Sequence, residues 1–201
     1  MTGLADFATL EPGLDDPVRG SQAAFRAILD AMAHPGRIVE LPGLLGGAPP
    51  APLGAAQAAI ALTLCDIDTP VWLDAAASSA AGYLAFHCGA PLAASPADAR
   101  FVIIADAAAL PPLDGFSLGS DEYPERSATL VIEVADLTAE GGAVLRGPGI
   151  RGETRLDVTG LPLRIWEERA ALAELFPRGI DVVFTCAARL AVLPRSTQVI
   201  L

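Results

Sequence analysis

The sequence predicts an α/β domain built on a central mixed β-sheet flanked by helices. Three observations carry this. Strand-like and helix-like segments interleave along the 201 residues. Several strand segments, such as 101–104 and 128–134, are apolar at consecutive positions and read as buried on both faces. Near the C-terminus two strand segments, 180–184 and 190–193, follow each other with no room for a helix, which requires some antiparallel pairing. No internal repeat or inter-domain linker breaks the chain. One domain is expected over residues 17–201, behind a loosely held lead-in at residues 1–16.

The elements follow in order. Asp16-Pro17 can start a helix, because proline suits the first helical position. Phe25, Ile28, Leu29 and Met32 then fall at the spacing of one amphipathic face, and Pro35-Gly36 stops the helix. Residues 38–41 read as a short strand, and the glycine- and proline-rich stretch 42–52 as a loop. An alanine-rich buried helix is expected over 55–64, a turn over 65–70, a strand over 71–73 and a helix over 75–86. Strand 101–104 ends at Asp106. Residues 107–124, with Pro111-Pro112 and Gly115, are irregular. Strands are expected over 128–134, 144–146 and 155–158, the last two joined through Gly147-Pro148-Gly149. A helix over 162–175 carries Ile165, Trp166, Leu172 and Leu175, and residues 198–201 can add a strand edge after the two C-terminal strands.

Composition narrows the chemistry. The net charge of -11 argues against non-specific binding to nucleic acid or to an anionic membrane. All thirteen basic residues are arginine. Without lysine there is no side-chain Schiff base, no lysine-bearing phosphate loop and no lysine general base. Cys65, Cys88 and Cys186 are odd in number and widely spaced, which fits free thiols in a reducing compartment better than a disulfide framework or a zinc knuckle. The N-terminus carries acids and no basic region, so it does not read as a secretory signal. The longest apolar run, 52–65, is shorter than the roughly 20 residues of a membrane span. A cytoplasmic protein is expected. An apolar fraction of 52% against 18% charged fits either an alanine-rich chain or a surface partly covered in an assembly.

Each candidate motif has two readings. Gly147-Pro148-Gly149-Ile150-Arg151-Gly152 matches a dinucleotide loop, but a strand rather than a helix follows it, and Pro148 lacks an amide; a hairpin turn is the better account. Asp66 and Asp68, with Asp74 nearby, can gather a hard metal or simply flank a Thr-Pro turn. His34 and His87 lack helical ligand spacing, so no metal site is expected. Arg146, Arg178 and Arg195 each adjoin a strand and lie beside glycine or proline. Their guanidinium forks suit phosphate oxygens, or they are solvated or structurally paired. Ser196 and Thr197 can add hydroxyl donors or close a turn.

Six segments, in order along nearly the whole chain, resemble the PhnH family of the bacterial carbon–phosphorus lyase system. They are Phe25 through Pro35-Gly36, Asp66-x-Asp68-Thr69-Pro70-Val71-Trp72-Leu73, and Phe86-His87 leading to Ala90-Pro91; then Gly147-Pro148-Gly149-Ile150, Phe176-Pro177-x-Gly179-Ile180-Asp181 and Leu193-Pro194-Arg195-Ser196-Thr197. The last departs slightly from the family, which has a second threonine where Ser196 stands. The resemblance implies a fold like the large domain of pyridoxal-phosphate transferases without that cofactor. It also implies a subunit supporting the formation of α-D-ribose 1-methylphosphonate 5-triphosphate from MgATP and an alkylphosphonate, as a homodimer and beside other core subunits. MgATP is then a substrate of the complex, and this chain carries no complete catalytic apparatus. Arg146, Arg178, Asp181, Arg195, Ser196 and Thr197 become candidates for binding a ligand or partner. Gly147, Pro148, Gly149, Phe176, Pro177, Gly179 and Pro194 become structural. The alternatives are a stand-alone small-molecule enzyme using Asp66, Asp68 and His87, or a purely structural scaffold.

Overall fold

The computed structural model describes residues 11–200. Residues 1–10 of the expected lead-in, and the last residue of the expected strand edge, lie outside the described residues. Over residues 11–16 the chain makes hydrogen bonds to the rest of the molecule. Tyr83 donates its hydroxyl to the Pro12 carbonyl at 3.2 Å, and the Asp15 amide donates to Leu44 O at 2.9 Å.

Helix α1 (Pro17–Ala33) begins as its sequence requires. The Asp16 carboxylate accepts from the Val18 and Arg19 amides at 3.1 and 2.9 Å, and Pro17 takes a position where no amide is needed. Its buried face is Gly20, Ala24, Ile28 and Ala31. Of the expected apolar anchors only Ile28 lies there; Phe25, Leu29 and Met32 are 50, 53 and 37% exposed. The reason is closeness. Helix α2 (Ala55–Leu64), buried along 56–61, packs against α1, and small side chains line the contact. Helix α3 (Ala81–His87) is preceded by a 3-10 turn over 76–80, and these three helices cover one side of the molecule.

The central sheet has six strands in the order β1-β8-β7-β4-β3-β2. These are β1 (Val39–Glu40), β2 (Val71–Leu73), β3 (Phe101–Ile104), β4 (Thr129–Glu133), β7 (Asp181–Cys186) and β8 (Arg189–Leu193). β2, β3, β4 and β7 run parallel, β8 is antiparallel to β7, and β1 is antiparallel to β8. The sheet is therefore mixed, as the short C-terminal connection requires. Its parallel strands are buried on both faces. Ile103, Val131 and Val183 pack under α1–α3, while Val102, Leu130 and Val182 face the other way.

The remaining strands leave the central sheet. β5 (Asp136–Arg146), β6 (Thr154–Thr159) and β9 (Gln198–Ile200) form a second, antiparallel sheet in the order β6-β5-β9. Its Leu137, Leu145, Leu156 and Val158 join α4 (Leu163–Leu172) in the second core, on the far side of the central sheet from α1–α3. One apolar face is what a separate layer needs, and one is what this hairpin has. β5 is far longer than residues 144–146, because the ladder slips between Thr138 and Ala143, where Gly141 and Gly142 have positive φ. The 107–124 stretch contains short 3-10 turns, one capped by Asp106, and α4 gives way to a 3-10 turn over 173–175. Among the described residues no helix is long and apolar enough to cross a membrane.

Candidate functional site

Four of the six signature segments meet in a single seam at the joint between the two sheets and α1. At its centre is Arg195, just beyond β8. Its backbone amide donates to Asp181 Oδ1 at 2.7 Å, its Nη2 to Oδ2 at 2.6 Å and its Nε to Oδ1 at 3.3 Å. Nη1 donates to the Pro124 carbonyl. The two side chains are only 18 and 11% exposed, so this is a forked, largely dry ion pair. Asp181 is the first residue of β7 and is placed by Gly179, where a Cβ would come within 3.1 Å of Arg195 Cβ.

The glycines of the β5–β6 connection close the same seam. A Cβ on Gly147 would lie 2.9 Å from the Ser196 carbonyl, and one on Gly149 would collide with the Ala33 carbonyl at the end of α1. The hairpin reading of this connection is correct: β5 and β6 are antiparallel neighbours, and no helix follows the glycines.

Arg169 is the member that sequence reasoning missed. It is 2% exposed, its Nη2 donates to the Pro194 carbonyl at 2.6 Å, and its Nε has no hydrogen-bond partner among the described residues. Burial pushes its pKa down to about 10; Asp181 opposes the shift and the Arg195 charge adds to it. The signal was present, because Arg169 stands on the same helical stripe as Ile165, Trp166 and Leu172. Thr197 is wholly buried and its Oγ1 is also unpartnered among the described residues. Ser196 borders a cleft of about 250 Å³ with Pro148, Phe176 and Gln198. Arg178, 37% exposed, lies 3.2 Å from Asp121 as an ionic contact, since its Nε makes no hydrogen bond among the described residues. Arg146 stands apart, exposed and paired across the hairpin with Glu153 at 3.0 Å.

The other candidates do not converge on one another. Asp66 Oδ1 accepts from the Asp68 amide at 3.0 Å and from the Thr69 hydroxyl at 2.7 Å, and the hydroxyl contact holds its pKa below the usual carboxylate range. Asp74 accepts from the Ala77, Ala105 and Asp106 amides, locking the end of β2 to that of β3. His87 Nε2 lies 2.9 Å from the Glu11 carbonyl. Cys65 and Cys88 both have raised pKa values, chiefly through burial, which keeps them as thiols. Among the described residues no group of three or more His, Cys, Asp or Glu is arranged to hold a metal.

These features define an α/β-sheet protein whose signature residues are joints between layers: glycines that allow close backbone approach and a buried arginine–aspartate fork. Over residues 12–200 it matches the model of the bacterial phosphonate metabolism protein family PhnH. A Rhizobium meliloti (strain 1021) protein named alpha-D-ribose 1-methylphosphonate 5-triphosphate synthase subunit PhnH is 47% identical over 190 residues, 91% of this chain and 92% of that protein. A Stutzerimonas stutzeri protein named putative C-P lyase subunit protein HtxG is 33% identical over 186 residues, 89% of this chain and 85% of that one. The chain belongs to the PhnH family.

Proposed function

We propose that this chain is a subunit of a carbon–phosphorus lyase system and supports the formation of α-D-ribose 1-methylphosphonate 5-triphosphate from MgATP and an alkylphosphonate. The observation that carries this reading is the 47% identity to the Rhizobium meliloti subunit over about nine-tenths of both chains. The chain assists a transferase step in the cytoplasm, as a homodimer and beside other core subunits. The chemistry on MgATP rests with the complex. With no lysine in the chain, pyridoxal phosphate is not held covalently, and the fold is a cofactor-less relative of the pyridoxal-phosphate transferase large domain. In this reading Arg178 and Ser196 face outward from the seam, and Arg146 from the neighbouring hairpin, toward a neighbouring subunit or a phosphate-bearing ligand. Asp181, Arg195 and Thr197 hold the loop that presents Ser196.

Complementation tests the reading. In a bacterium lacking its own subunit of this family, the chain is expected to restore growth on methylphosphonate as sole phosphorus source. Failure by a soluble, folded chain would overturn it.

A second strain addresses the stand-alone enzyme. The combined variant Asp66→Asn, Asp68→Asn, His87→Ala is expected to complement as well as the wild type, because the Asp66 carboxylate closes a local turn that Asp68 enters only through its backbone amide, while His87 contacts the Glu11 carbonyl elsewhere. A folded triple variant that supports no growth would instead place the chemistry in this chain.

A further inference from the structure

We infer that the seam around Arg195 binds a small tetrahedral oxyanion, a phosphate or phosphonate group, which enters the cleft at Ser196 and balances the excess positive charge of Arg169 and Arg195. This rests on the reading above, in which Ser196 faces a subunit or a phosphate-bearing ligand. It commits to the ligand and gives the buried Arg169 a part in holding it.

Unused hydrogen-bond donors gather at this place. Among the described residues four buried side-chain polar atoms have no hydrogen-bond partner: Ser127 Oγ, Arg169 Nε, Arg178 Nε and Thr197 Oγ1. Buried polar groups are normally satisfied, so such atoms call for a cause. All four lie around Arg195. Arg169 Nη2 and the Thr197 amide both donate to the Pro194 carbonyl, at 2.6 and 2.9 Å. The Ser127 amide donates at 3.3 Å to the Pro124 carbonyl, the oxygen that Arg195 Nη1 also reaches. Arg178 precedes Gly179, which lies against Arg195, and has only an ionic contact with the exposed Asp121. Two of the four atoms can only donate and the other two are hydroxyls, so what they lack is an acceptor.

The charges make that acceptor an anion. Asp181 is forked by Arg195, and the field of the same carboxylate also serves Arg169, which is in no ion pair of its own among the described residues. Two guanidiniums thus share one carboxylate. A buried cation without its own counterion is costly, and a bound anion relieves that cost.

The cleft beside these charges has a matching size and lining. It measures about 250 Å³. Sites that enclose drug-sized ligands measure roughly 300–1,000 Å³, so this one admits an oxyanion with a short substituent rather than a whole nucleotide. Arg195, Ser196 and Gln198 supply its polar lining, and Pro148, Ala173 and Phe176 its apolar lining. The Ser196 hydroxyl and the Gln198 side-chain amide make no hydrogen bond among the described residues, so both are available to an oxyanion. Arg169 stands one turn before Ala173 and bonds to the residue before Arg195, which sets its charge behind the lining.

The site is at the N-terminal end of the parallel strands, where β7 begins at Asp181. Open α/β sheets usually bind ligands at the other end. Here that end is filled from within. Asp74 accepts three amides, and Glu133 accepts from the Thr185 hydroxyl at 2.5 Å and from the Ala187 amide at 3.0 Å.

The test is the thermal midpoint of the full chain, titrated with sodium phosphate or sodium methylphosphonate against sodium chloride at equal ionic strength. Either oxyanion is expected to raise the midpoint saturably, as a ligand held only by the native state does. The lower dissociation constant of the two shows which group the cleft takes. Ser196→Ala is expected to weaken binding about tenfold, the loss of one hydrogen bond to a charged group. Arg169→Met is expected to weaken it about tenfold or more. Without ligand, Arg169→Met should melt at the wild-type midpoint or above it, because an apolar side chain replaces an unbalanced buried charge. Arg151→Ala, at an exposed arginine outside this cleft, should bind as the wild type does. No saturable rise with either anion would overturn the proposal and leave the excess charge to a carboxylate of another subunit. A rise of equal size in the wild type and in Ser196→Ala would overturn it too, since general salt stabilisation then accounts for the effect. So would a lower midpoint for unliganded Arg169→Met, the mark of a purely structural arginine. Complementation on methylphosphonate is scored separately with the wild-type chain, so failure of the assigned function and failure of this site are distinct results.

Discussion

Gly149→Ala is expected to lower the unfolding free energy by about 3 kcal/mol or more, and Gly152→Ala by about 1 kcal/mol. Both glycines have φ near +80°, a backbone conformation that alanine adopts only with strain. They differ in what lies beyond the missing side chain. At Gly152 the space is open. At Gly149 the new Cβ would run into the Ala33 carbonyl at the end of α1, with the Pro35 ring 3.0 Å away. Backbone cannot swing aside as a flexible side chain does, so α1 and the β5–β6 hairpin must separate. Urea unfolding measures both variants. A common slope with displaced midpoints would show that stability changes while the surface exposed on unfolding does not. Equal losses at the two positions would mean that strain, rather than the approach to α1, sets the cost.

Arg195→Ala is expected to destabilise the fold by about 3–5 kcal/mol, because it leaves Asp181 charged, nearly buried and without its cation. Pro124 also loses a donor to its carbonyl. The double variant Arg195→Ala, Asp181→Ala should be much less unstable than the sum of the two single variants, since the second change removes the stranded charge. Additive losses would show that the two side chains do not depend on each other. Any effect of Arg195→Ala on growth is then to be read through stability first, and Arg178→Ala and Ser196→Ala are the cleaner probes of a contact with a ligand or partner.

Local signals located most elements but not their partners. Asp16-Pro17 marked the start of α1 through a cap and a proline. The strands at 71–73 and 101–104 stand where continuous apolar residues placed them. The same periodicity misassigned the face of α1, because it weighs Phe25 and Leu29 above Gly20 and Ala24. Close helix packing selects for the small residues instead. Residues 136–143 did not read as strand, since Gly141 and Gly142 suggest a turn wherever a bulge is not anticipated. In the seam, the sequence marked Gly147, Gly149, Gly179 and Asp181 as residues with a special backbone or charge. It carried no information on which turn meets which. Contacts such as Gly149 against Ala33 join segments over a hundred residues apart, and only the folded topology specifies them.

The strand order also has a temporal consequence. β1 is made early and among the described residues has its sheet neighbour in β8, which is made near the end, and Val39 sits opposite Leu190. The loop and helix after β1 wait for the same late segment. Leu41 N donates to Ala188 O at 2.8 Å, and Ala56 N to Ala187 O at 2.9 Å. During synthesis the parallel strands β2 to β4 can therefore assemble with one edge of β4 unpaired and with part of the alanine-rich α2 uncovered, until the C-terminal hairpin leaves the ribosome. Pairings this distant in sequence make for slow folding. The nascent chain is most exposed to wrong partners in the interval before residues 181–193 arrive, so the hairpin that completes the sheet also ends the period in which the chain is prone to aggregate.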